Sequence, residues 1–473
     1  MIKFGTGGWR AKIGEGFTKA NIVLLAQAIA DYINAQADKE KALALSYDMR
    51  FLSKSAAKWV AEVLAANDLK VYLLDKPAPT PLTMYTVKDL GLEYGIAITA
   101  SHNPYNWNGL KFFAEQGKDA EEYVTNELEE RCAKLKPEDV KSKDFKKALA
   151  AEEIIIIDPL NDYIDHIMSI LDTEAIKQRS LDVIIDLMHG AATEALEALL
   201  FNLRIRVDSI HTDRDAYFGG KKPKPSKENL QELKVLVEAN DYDLGIATDE
   251  DGDRLAIISA DAEFLDANEI LSLLYYYYLE YKGIKTPIVR NLATTHTLDR
   301  IAKAYGQDVI ETKVGFKYIS EGMEESGALL GGESSGGLAT SLHIQGKDGI
   351  YAAALICEML SVSKMSIKEL LKEVETKFGK LYTVKRNYPV SAEDKERLHK
   401  QLFVDKDLPK YPFEVEKVST LDGLKVYFKD KGWVLIRLSG TEPLLRVYAE
   451  MDKEETAVEV CEYTAKYLDL DIS

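Results

Sequence analysis

Short apolar runs alternate with longer amphipathic stretches along most of the chain. Continuous apolar runs at 41–47, 69–74 and 94–100 are typical of buried strands, whereas residues 17–36 and 55–68 carry apolar positions at helical spacing. Strands separated by helices predict βαβ units, in which neighbouring strands are parallel. The first part of the chain is therefore predicted to be an α/β domain.

The same alternation continues beyond a charged helical stretch at about 121–150. A second block opens with "AEEIIIID" and contains the strands of "LDVIIDLMHG" and "DYDLGIAT", and a third contains "TPIVRNLATT" and the helix of "HTLDRIAKAYG". From about Thr383 the pattern changes to shorter strands, as in "LKVYFKDKGWVLIRLSG", and a closing helix. That change is typical of a smaller α+β domain with an antiparallel sheet.

The totals restrict the class of protein. The chain has 473 residues, enough for several domains, and its net charge of −18 argues against nucleic-acid or acidic-membrane binding, which needs positive faces. Its 3 cysteines form no CxxC pair, which argues against a disulfide framework or a thiolate zinc site. The start, "MIKFGTGGWRAKIG", lacks the apolar core of a signal peptide, and the apolar run at 270–281 is too short to span a membrane. We interpret that run as a buried helix and expect a cytoplasmic protein.

The candidate chemistry lies in four polar loops that follow predicted strands, where open α/β sheets bind their ligands. In the first, "ITASHNPYNWNG", Ser101 directly follows a strand, Pro104 fixes one φ, Gly109 allows an unusual one, and Lys111 comes shortly after. A serine is a poor nucleophile unless a partner activates it or it arrives already modified. Ser101 is therefore either a reactive hydroxyl or a capping residue of an Asn-rich turn.

The second loop, "TDEDGDR", places Asp249, Asp251 and Asp253 at alternate positions. Three carboxylates that converge repel one another unless a cation lies among them, and hard oxygen ligands suit Mg²⁺. An EF-hand is excluded because Arg254 stands where its glycine is required and Ala260 where its last glutamate is required. The apolar strands on both sides argue against the alternative of a surface acidic turn.

The third loop, "GGESSGG", sets Glu333, Ser334 and Ser335 between glycines, and "HIQGKDG" follows it. Short donors and acceptors on a glycine-rich loop fit sugar hydroxyls, although a plain turn explains the same residues equally well.

The fourth loop, "RLSGTEPLLR", is bracketed by Arg437 and Arg446 and contains the hydroxyls of Ser439 and Thr441 around Gly440. Two guanidinium groups, hydroxyls and backbone N–H groups can form an anion cradle. A simple β-turn would explain the glycine but not the two arginines.

Together the loops supply a nucleophile, a carboxylate cluster, hydroxyl readers and a phosphate cradle, the parts that phosphoryl transfer requires. "TASHNP…NGLK", "DEDGDR", "GGESSGG" and "RLSGTEPLLR" resemble, in this order, the four signature loops of the α-D-phosphohexomutase family, and "FGTGGWR" resembles its opening motif. The similarity covers essentially the whole chain and points to the prokaryotic phosphoglucomutase/phosphomannomutase type.

The resemblance implies an α/β fold of three similar α/β/α domains with mixed, largely parallel sheets and a smaller C-terminal α+β domain around a central cleft. The implied domains are a phosphoserine domain at 1–150, a metal-loop domain at 151–260, a sugar-loop domain at 261–375 and a phosphate-binding domain at 380–473.

The resemblance also implies roles for single residues. Ser101 would carry the phosphoryl group, Arg10 and Arg254 would hold its surroundings, and Lys111 and Lys347 would be the acid/base lysines, for which a lowered pKa is useful. The implied metal ligands are a phosphoserine oxygen at Ser101 with Asp249, Asp251 and Asp253. The implied substrate contacts are Glu333 and Ser335 for sugar hydroxyls and Arg437, Ser439, Gly440, Thr441 and Arg446 for the phosphate.

The implied activity is the interconversion of hexose 1-phosphate and hexose 6-phosphate, with glucose, mannose or both as the sugar. A phosphoserine enzyme would act through hexose 1,6-bisphosphate, which is both intermediate and activator, with one Mg²⁺ per chain. The partners would be small hexose phosphates, and the protein a monomer or weak homodimer.

Two departures from the family pattern bear on specificity. Gly337 and the Phe316–Lys317 pair stand where some bifunctional relatives carry histidines, and His343 and Lys347 are candidates to replace them. A phosphoglucosamine mutase, a non-catalytic binder of sugar bisphosphate and a metal-dependent phosphatase remain alternatives.

Overall fold

A computed structural model describes residues 2–5, 7–36, 41–405, 407–439 and 443–470. The strands, labelled β1 to β21 in chain order, are Phe4–Gly5, Gly8–Lys12, Ala42–Tyr47, Lys70–Leu74, Tyr94–Ile98, Trp107–Ala114, Ile154–Ile157, Asp182–Asp186, Arg206–Ile210, Leu244–Thr248, Leu255–Ser259, Phe264–Leu265, Ile288–Asn291, Val309–Thr312, Leu330–Gly332, Leu338–Thr340, Tyr382–Pro389, Val415–Ser419, Leu424–Phe428, Gly432–Leu438 and Leu444–Met451.

The helices are labelled α1 to α16 in chain order. They are Lys19–Ala35, Ser53–Ala66, Thr80–Asp89, Glu122–Lys134, Phe145–Ala150, Leu160–Ser169, Thr173–Arg179, Thr193–Asn202, Gln231–Ala239, Ala267–Tyr276, Thr297–Ala304, Phe316–Ser326, Gly349–Ser363, Ile367–Phe378, Ala392–His399 and Glu454–Tyr467.

The chain divides into two compact units. The first contains the residues up to Ile270 together with Ser335–Glu369, and the second contains Leu271–Ser334 together with the residues from Leu370 onward.

The first unit contains a mixed sheet in the order β1-β2-β6-β5-β3-β4-β7. Strands β5, β3, β4 and β7 are parallel neighbours, whereas β6, β2 and β1 add antiparallel partners at the other side. The strand Ile154–Ile157 therefore belongs to this sheet, which corrects its predicted place at the start of the second block. The charged helical stretch at 121–150 contains two α-helices, since α4 ends at Lys134 and α5 begins at Phe145.

A second sheet of the first unit has the order β12-β11-β10-β8-β9. Strands β8, β9 and β10 are parallel, and β10 pairs with β11 antiparallel from Thr248 opposite Leu255 to Leu244 opposite Ser259. Every residue of β10 and β11 is buried. Their tight pairing leaves residues 249–254 as a short loop whose two ends are fixed in the core.

The second unit contains the parallel strands β14-β13-β15 and an antiparallel sheet in the order β17-β21-β20-β19-β18. Trp433 is fully buried and packs with Leu435 against Leu292 and Ala293, and its indole N–H donates to Glu450 Oε1 at 3.0 Å. This unit therefore has its own apolar core beneath the antiparallel sheet.

The tyrosine run at 270–281 is a buried helix, as predicted. It forms α10 and a π-helical turn at Tyr277–Tyr281, and Tyr275, Tyr276 and Tyr277 are fully buried. In the described part of the chain, no single helix has the length and apolar composition needed to cross a membrane. Only α13 and α14 taken together meet that test, and a bend separates them.

Candidate active site

Ser101 follows the end of β5, and its side chain is fully buried. Its φ of 51° lies in the left-handed region, which costs a non-glycine residue roughly 1 kcal/mol. The Ser101 N–H donates to Thr99 Oγ1 at 2.8 Å, and the hydroxyl donates to Asp249 Oδ2 at 3.2 Å. The turn is therefore held in a costly conformation that aims the hydroxyl at the acidic loop.

The three aspartates of the loop after β10 converge, as the spacing predicts. Asp249, Asp251 and Asp253 are at most 1% exposed, and one carboxylate oxygen from each lies within 4.8 Å of the others. Asp251 Oδ1 and Asp253 Oδ1 are buried and accept no hydrogen bond from the described residues. Buried carboxylate oxygens with unused lone pairs are suitable ligands for a hard divalent cation, so the residues present fit a metal site.

Three cationic side chains surround these carboxylates. Lys111 Nζ donates to Asp251 Oδ2 at 2.6 Å and to Asp253 Oδ2 at 2.8 Å. Lys347 Nζ also donates to Asp253 Oδ2, at 2.8 Å, and Arg254 Nε lies 3.6 Å from Asp253 Oδ1. The three positive charges balance the three aspartates, which limits the cost of burying like charges together.

Lys111 does not have the lowered pKa that would be useful to an acid/base lysine. Burial by itself lowers the pKa of Lys111, but the carboxylates of Asp251 and Asp253 outweigh burial and hold the pKa above its ordinary value. Lys111 is therefore an ammonium group at neutral pH that donates hydrogen bonds, and it can act as an acid rather than as a base in this arrangement.

The aspartates themselves differ in acidity. Burial raises the pKa of Asp249, and the two neighbouring aspartates raise it further despite Arg254. Burial also opposes ionisation of Asp253, but Lys111 and Lys347 lower the pKa of Asp253 well below its usual value. The carboxylate that accepts from Ser101 therefore holds a proton more readily than that of Asp253.

Two side chains near the serine show what the sequence pattern identifies and what it misses. Arg10, a predicted site residue, donates from Nη1 to Asn103 Oδ1 at 2.9 Å and so contacts the serine loop. His102 was not predicted, yet its Nδ1 lies 3.2 Å from Ser101 Oγ. Burial lowers the pKa of His102, and Arg254 and Arg10 lower it further, so the imidazole is neutral and can accept a hydrogen bond.

Gly109 has a different role from the predicted one. Its φ is not in the left-handed region, and it lies in β6 directly opposite Arg10 of β2. A Cβ at this position would lie 2.2 Å from Trp9 O and 2.8 Å from Thr99 O. The glycine therefore permits close approach of the backbone, and not an unusual turn.

We expect Gly109→Ala to lower the free energy of unfolding by about 2–3 kcal/mol, because the clash is with backbone atoms that cannot rotate away. Urea unfolding followed by circular dichroism measures the loss. Gly91→Ala is the control, since its Cβ would meet nothing within 4 Å and only its φ of 63° is unfavourable. That control should cost about 1 kcal/mol, and equal losses in the two variants would contradict the close-approach argument.

The turn that carries Lys347 is fixed by a buried network. His343 Nε2 lies 2.8 Å from Asp348 Oδ2, which also accepts from the Tyr163 hydroxyl at 2.6 Å. Asp348 Oδ1 accepts from the N–H groups of Ile350 and Tyr351 at 2.8 Å each and so caps α13. The structure thereby corrects the suggestion that His343 replaces a family histidine at the substrate, because His343 is 1% exposed and orients the Lys347 turn through Asp348.

His166 lies beside this network. Its ring is 5.1 Å from that of His343, and its buried Nε2 accepts no hydrogen bond from the described residues. Burial lowers the pKa of His166 to about 4, with further contributions from His343 and Lys88. Between its ordinary pKa of 6.5 and its lowered pKa of about 4, the unfolded chain takes up a proton at this position more readily than the folded chain, so lower pH favours unfolding.

We expect the stability of the wild type to fall between about pH 6.5 and pH 4, and His166→Gln to weaken that fall. Urea unfolding at several pH values in this window tests the expectation. His399→Gln, on the exposed end of α15, should retain the wild-type pH dependence. Parallel stability curves for wild type and His166→Gln would show that His166 does not titrate in this window.

In the second unit, the sugar-loop glutamate is anchored by two residues that the sequence pattern did not identify. Glu333 Oε1 accepts from Asn291 Nδ2, at the end of β13, and from the N–H of Gly315, both at 3.0 Å. The Ser334 carbonyl accepts from Lys385 Nζ at 3.3 Å. Ser335 is exposed and belongs to the first unit.

The fourth loop brings two arginines together. Arg437 of β20 lies directly opposite Arg446 of β21 in the antiparallel pair. Directly opposed residues share a face, and like charges there repel each other unless an anion lies nearby. Arg437 Nε also donates to Asp422 Oδ1 at 2.9 Å, and the Ser439 N–H donates to Leu444 O at 2.9 Å. The predicted residues Gly440 and Thr441 lie outside the described residues.

Each of the two units contains some of the predicted site residues. One group lies in the first unit, where the structure brings its members into contact; its members are Ser101, Lys111, Asp249, Asp251, Asp253, Arg254 and Lys347, with Arg10 bound to the serine loop. Within the second unit, Glu333 lies at the end of β15 and Arg437, Ser439 and Arg446 lie on β20, β21 and their connection.

On an α/β scaffold, a buried serine hydroxyl held against a carboxylate triad and basic side chains defines an enzyme of the phosphoryl-transfer class. Family models support a more specific assignment. The models described as phosphoglucomutase/phosphomannomutase, alpha/beta/alpha domains I, II and III, and C-terminal domain, match residues 1–139, 161–262, 266–378 and 390–466. The chain belongs to the phosphoglucomutase/phosphomannomutase family and is a phosphohexomutase. These matches confirm the predicted fold class, whereas the predicted boundaries stay a prediction.

Individual relatives agree with this assignment over nearly the full length. A phosphoglucomutase/phosphomannomutase of Thermococcus kodakarensis is 30% identical over 98% of both chains. A phosphoglucosamine/phosphogalactosamine mutase of Sulfurisphaera tokodaii is 28% identical over 96% of both chains. Among solved structures, a protein from Thermus thermophilus named "putative phosphomannomutase" has a TM-score of 0.84 at 28% identity, with 99% of both chains covered.

Proposed function

We propose that the protein interconverts hexose 1-phosphate and hexose 6-phosphate, with glucose, mannose or both as the sugar, through a phosphoserine at Ser101. The observation that carries the proposal is the contact of 3.2 Å between the buried Ser101 hydroxyl and Asp249 Oδ2, beside two further carboxylates and two lysines. A structural serine has no need for three buried carboxylates beside it, whereas a serine that gains and loses a phosphoryl group can use the cation that such carboxylates hold.

In the proposed reaction, the phosphoryl group moves from Ser101 to the 6-hydroxyl of hexose 1-phosphate. The bond between the serine oxygen and phosphorus breaks and a bond from the sugar oxygen to phosphorus forms. The sugar hydroxyl gives up its proton to a base, and the serine oxygen gains a proton from an acid, so that Ser101 becomes a free hydroxyl. The resulting hexose 1,6-bisphosphate reorients, and its 1-phosphoryl group returns to Ser101, which releases hexose 6-phosphate. Free bisphosphate would also load the unmodified enzyme and so act as activator.

We further propose that Asp249, Asp251, Asp253 and an oxygen of phospho-Ser101 hold one Mg²⁺ per chain. The ion would neutralise negative charge on the transferring phosphoryl oxygens. Around it, Arg254 and Arg10 favour an anion at the serine, and Lys111 and Lys347 present ammonium groups to the same region.

The proposed substrate contacts, apart from Ser335, belong to the second unit. The opposed pair of Arg437 and Arg446 supports a site for the phosphate already on the sugar, because two guanidinium groups on one face can bind a phosphate together. Ser439 and the proposed Gly440 and Thr441 would add donors to the same phosphate. Glu333, whose carboxylate is oriented by Asn291 and Gly315, and Ser335 would bind sugar hydroxyls.

The choice of sugar is decided by rates. Purified protein with Mg²⁺ and a trace of glucose 1,6-bisphosphate is assayed with glucose, mannose and glucosamine 1-phosphates side by side. We expect kcat/KM for glucose or mannose 1-phosphate to exceed that for glucosamine 1-phosphate by at least about 10-fold, which is about 1.4 kcal/mol of discrimination. The opposite ranking would support a phosphoglucosamine mutase, the activity that the name of the Sulfurisphaera relative also contains.

The same assay distinguishes a mutase from a phosphatase and from a non-catalytic binder. Isomerisation without net phosphate release supports a mutase, whereas phosphate release that exceeds isomerisation would support a phosphatase. Persistent phospho-Ser101 without turnover of any hexose phosphate would support a non-catalytic binder. We propose that the protein works in the cytoplasm as a monomer or weak homodimer, and sedimentation at several concentrations measures the oligomeric state.

A further inference from the structure

A buried arginine that the proposed chemistry does not use organises the serine loop. Arg50 is fully buried, and its Nη1 donates to Pro104 O at 2.9 Å and to Trp107 O at 3.1 Å. Its Nη2 donates to Asn103 O at 2.6 Å and to the carbonyl of Ser101 itself. Four carbonyl groups of one loop thus converge on one planar guanidinium, a geometry that only arginine can satisfy.

Glu250 connects the serine loop and Arg50 to the metal loop. It lies between two of the proposed metal ligands, but its side chain reaches toward the first sheet, where Oε1 accepts from the Met49 N–H at 3.1 Å. Oε2 accepts from the Thr99 hydroxyl at 3.4 Å and lies 3.5 Å from Arg50 Nε. Thr99 in turn accepts from the Ser101 N–H. The serine loop and the metal loop therefore share one buried anchor.

The surroundings restrict where the Arg50 guanidinium can go. The Phe218 ring covers it, with Arg50 Cζ 4.8 Å from the ring centroid, and Asp48 Oδ2 lies 3.5 Å from Nε. Arg50, Asp48 and Glu250 are each at most 2% exposed. A charged group with no access to water keeps its position only through these contacts, so their loss displaces the loop.

We propose that Arg50 and Glu250 are positioning residues of the phosphoryl-transfer step, which together hold the Ser101 oxygen at the correct place relative to the metal loop. The inference rests on the proposed mutase function. Its physical basis is that a displacement of about 1 Å at a reacting atom costs roughly 100-fold in rate.

Arg50→Lys tests the arginine. A lysine has one nitrogen and three donors, so it cannot bind four carbonyls in a fork, although its charge is retained. We expect kcat to fall about 100-fold, while KM for hexose 1-phosphate changes by less than about 3-fold, a 0.65 kcal/mol effect. We expect kcat to change much more than KM because the residues proposed to bind the phosphate of the substrate belong to other segments of the chain.

Glu250 is tested by a pair of variants. Glu250→Gln retains one oxygen, which can accept from the Met49 N–H, and places an amide nitrogen where Oε2 now faces the Thr99 hydroxyl. Its kcat should therefore fall only about 3-fold. Glu250→Ala removes both contacts and should lower kcat at least about 10-fold. Recovery of activity by the conservative variant distinguishes positioning from a general loss of packing.

Arg290→Lys is the matched control, because Arg290 is 2% exposed and is held by Asp299 and Glu311 in the second unit. The Arg290→Lys variant should be less stable than wild type, but the folded fraction should retain the wild-type kcat. If wild-type protein is active and kcat is unchanged in both Arg50→Lys and Glu250→Ala, the positioning role is overturned. The proposed mutase function is then still supported by the wild-type turnover. Inactive wild-type protein would instead overturn the proposed function. If Arg50→Lys does not fold, the Glu250 pair alone decides.

Discussion

Ser101→Ala is expected to lower the isomerisation of hexose 1-phosphate by about 10⁴-fold or more, the loss typical of a deleted nucleophile. The methyl group cannot carry the phosphoryl group and cannot donate to Asp249 Oδ2. Binding of hexose phosphate should be largely retained, because the proposed sugar and phosphate contacts are on other loops. The effect is therefore on kcat and not on the dissociation constant of the substrate.

The measurement is a coupled assay with saturating hexose 1-phosphate, Mg²⁺ and added glucose 1,6-bisphosphate, combined with intact mass after incubation with the bisphosphate. Wild type should gain the mass of one phosphoryl group and Ser101→Ala none. Ser259→Ala is the control, because Ser259 is also buried and its hydroxyl donates to Asp261 at 2.6 Å, away from the triad. Full mutase turnover by Ser101→Ala would end the assignment of Ser101.

In the first unit, the site residues that lie close to one another in the sequence were predictable. Asp249, Asp251 and Asp253 alternate in a loop between two apolar strands, so the fixed ends of that loop bring the carboxylates together. Ser101 was identifiable for a similar reason, because the apolar strand before it fixes where the turn begins.

The supporting residues were not predictable in this way. Arg50 and Asn291 stand alone in their segments, and their partners are 51 and 42 positions away in the chain, at Ser101 and Glu333. Pairing between distant strands creates these contacts, and local spacing carries no sign of them. The role of Gly109 was not predictable for the same reason. A glycine is required there because the backbone of a strand about 100 residues earlier approaches closely, and not because of a local turn.

The order of the strands within the sheets was also not predictable from the local sequence pattern. The run Ile154–Ile157 has the composition of a strand in any sheet, and only its pairing with β4 places it in the first sheet. The pKa of Lys111 depends in the same way on two aspartates that lie 140 and 142 positions later. Burial alone predicts the wrong direction for that pKa, because the partners and not the burial decide the sign.

Lys111 also determines how the protein should respond to divalent metal. Its ammonium group and a bound cation would compete for the negative charge of Asp251 and Asp253. We expect chelation of Mg²⁺ to abolish mutase activity without unfolding the protein, because Lys111, Lys347 and Arg254 still balance the three carboxylates. Activity after addition of EDTA and then of excess Mg²⁺, with circular dichroism recorded in parallel, measures both effects.

Two substitutions in this pair should change metal affinity in opposite directions. Asp251→Asn removes a negative charge and should weaken Mg²⁺ binding and lower kcat about 100-fold, which corresponds to a few kcal/mol of lost charge stabilisation. Lys111→Met removes a positive charge and should tighten Mg²⁺ binding at least about 10-fold, since one charge near 4 Å contributes up to about 4 kcal/mol at an effective dielectric constant of 20. Calorimetric titration with Mg²⁺ measures both affinities.

The stability of Lys111→Met provides the sharper test. Without the ammonium group the buried carboxylates lose their main partner, which should cost about 3–5 kcal/mol of unfolding free energy in EDTA. Added Mg²⁺ should restore most of that loss, so the metal-dependent rise in Tm should be larger than in wild type. Lys347→Met should also lose stability in EDTA and regain it with Mg²⁺, but by smaller amounts. The side chain of Lys347 is 15% exposed, against 5% for Lys111. Weaker Mg²⁺ binding by Lys111→Met would show that the lysine supports the metal and does not compete with it.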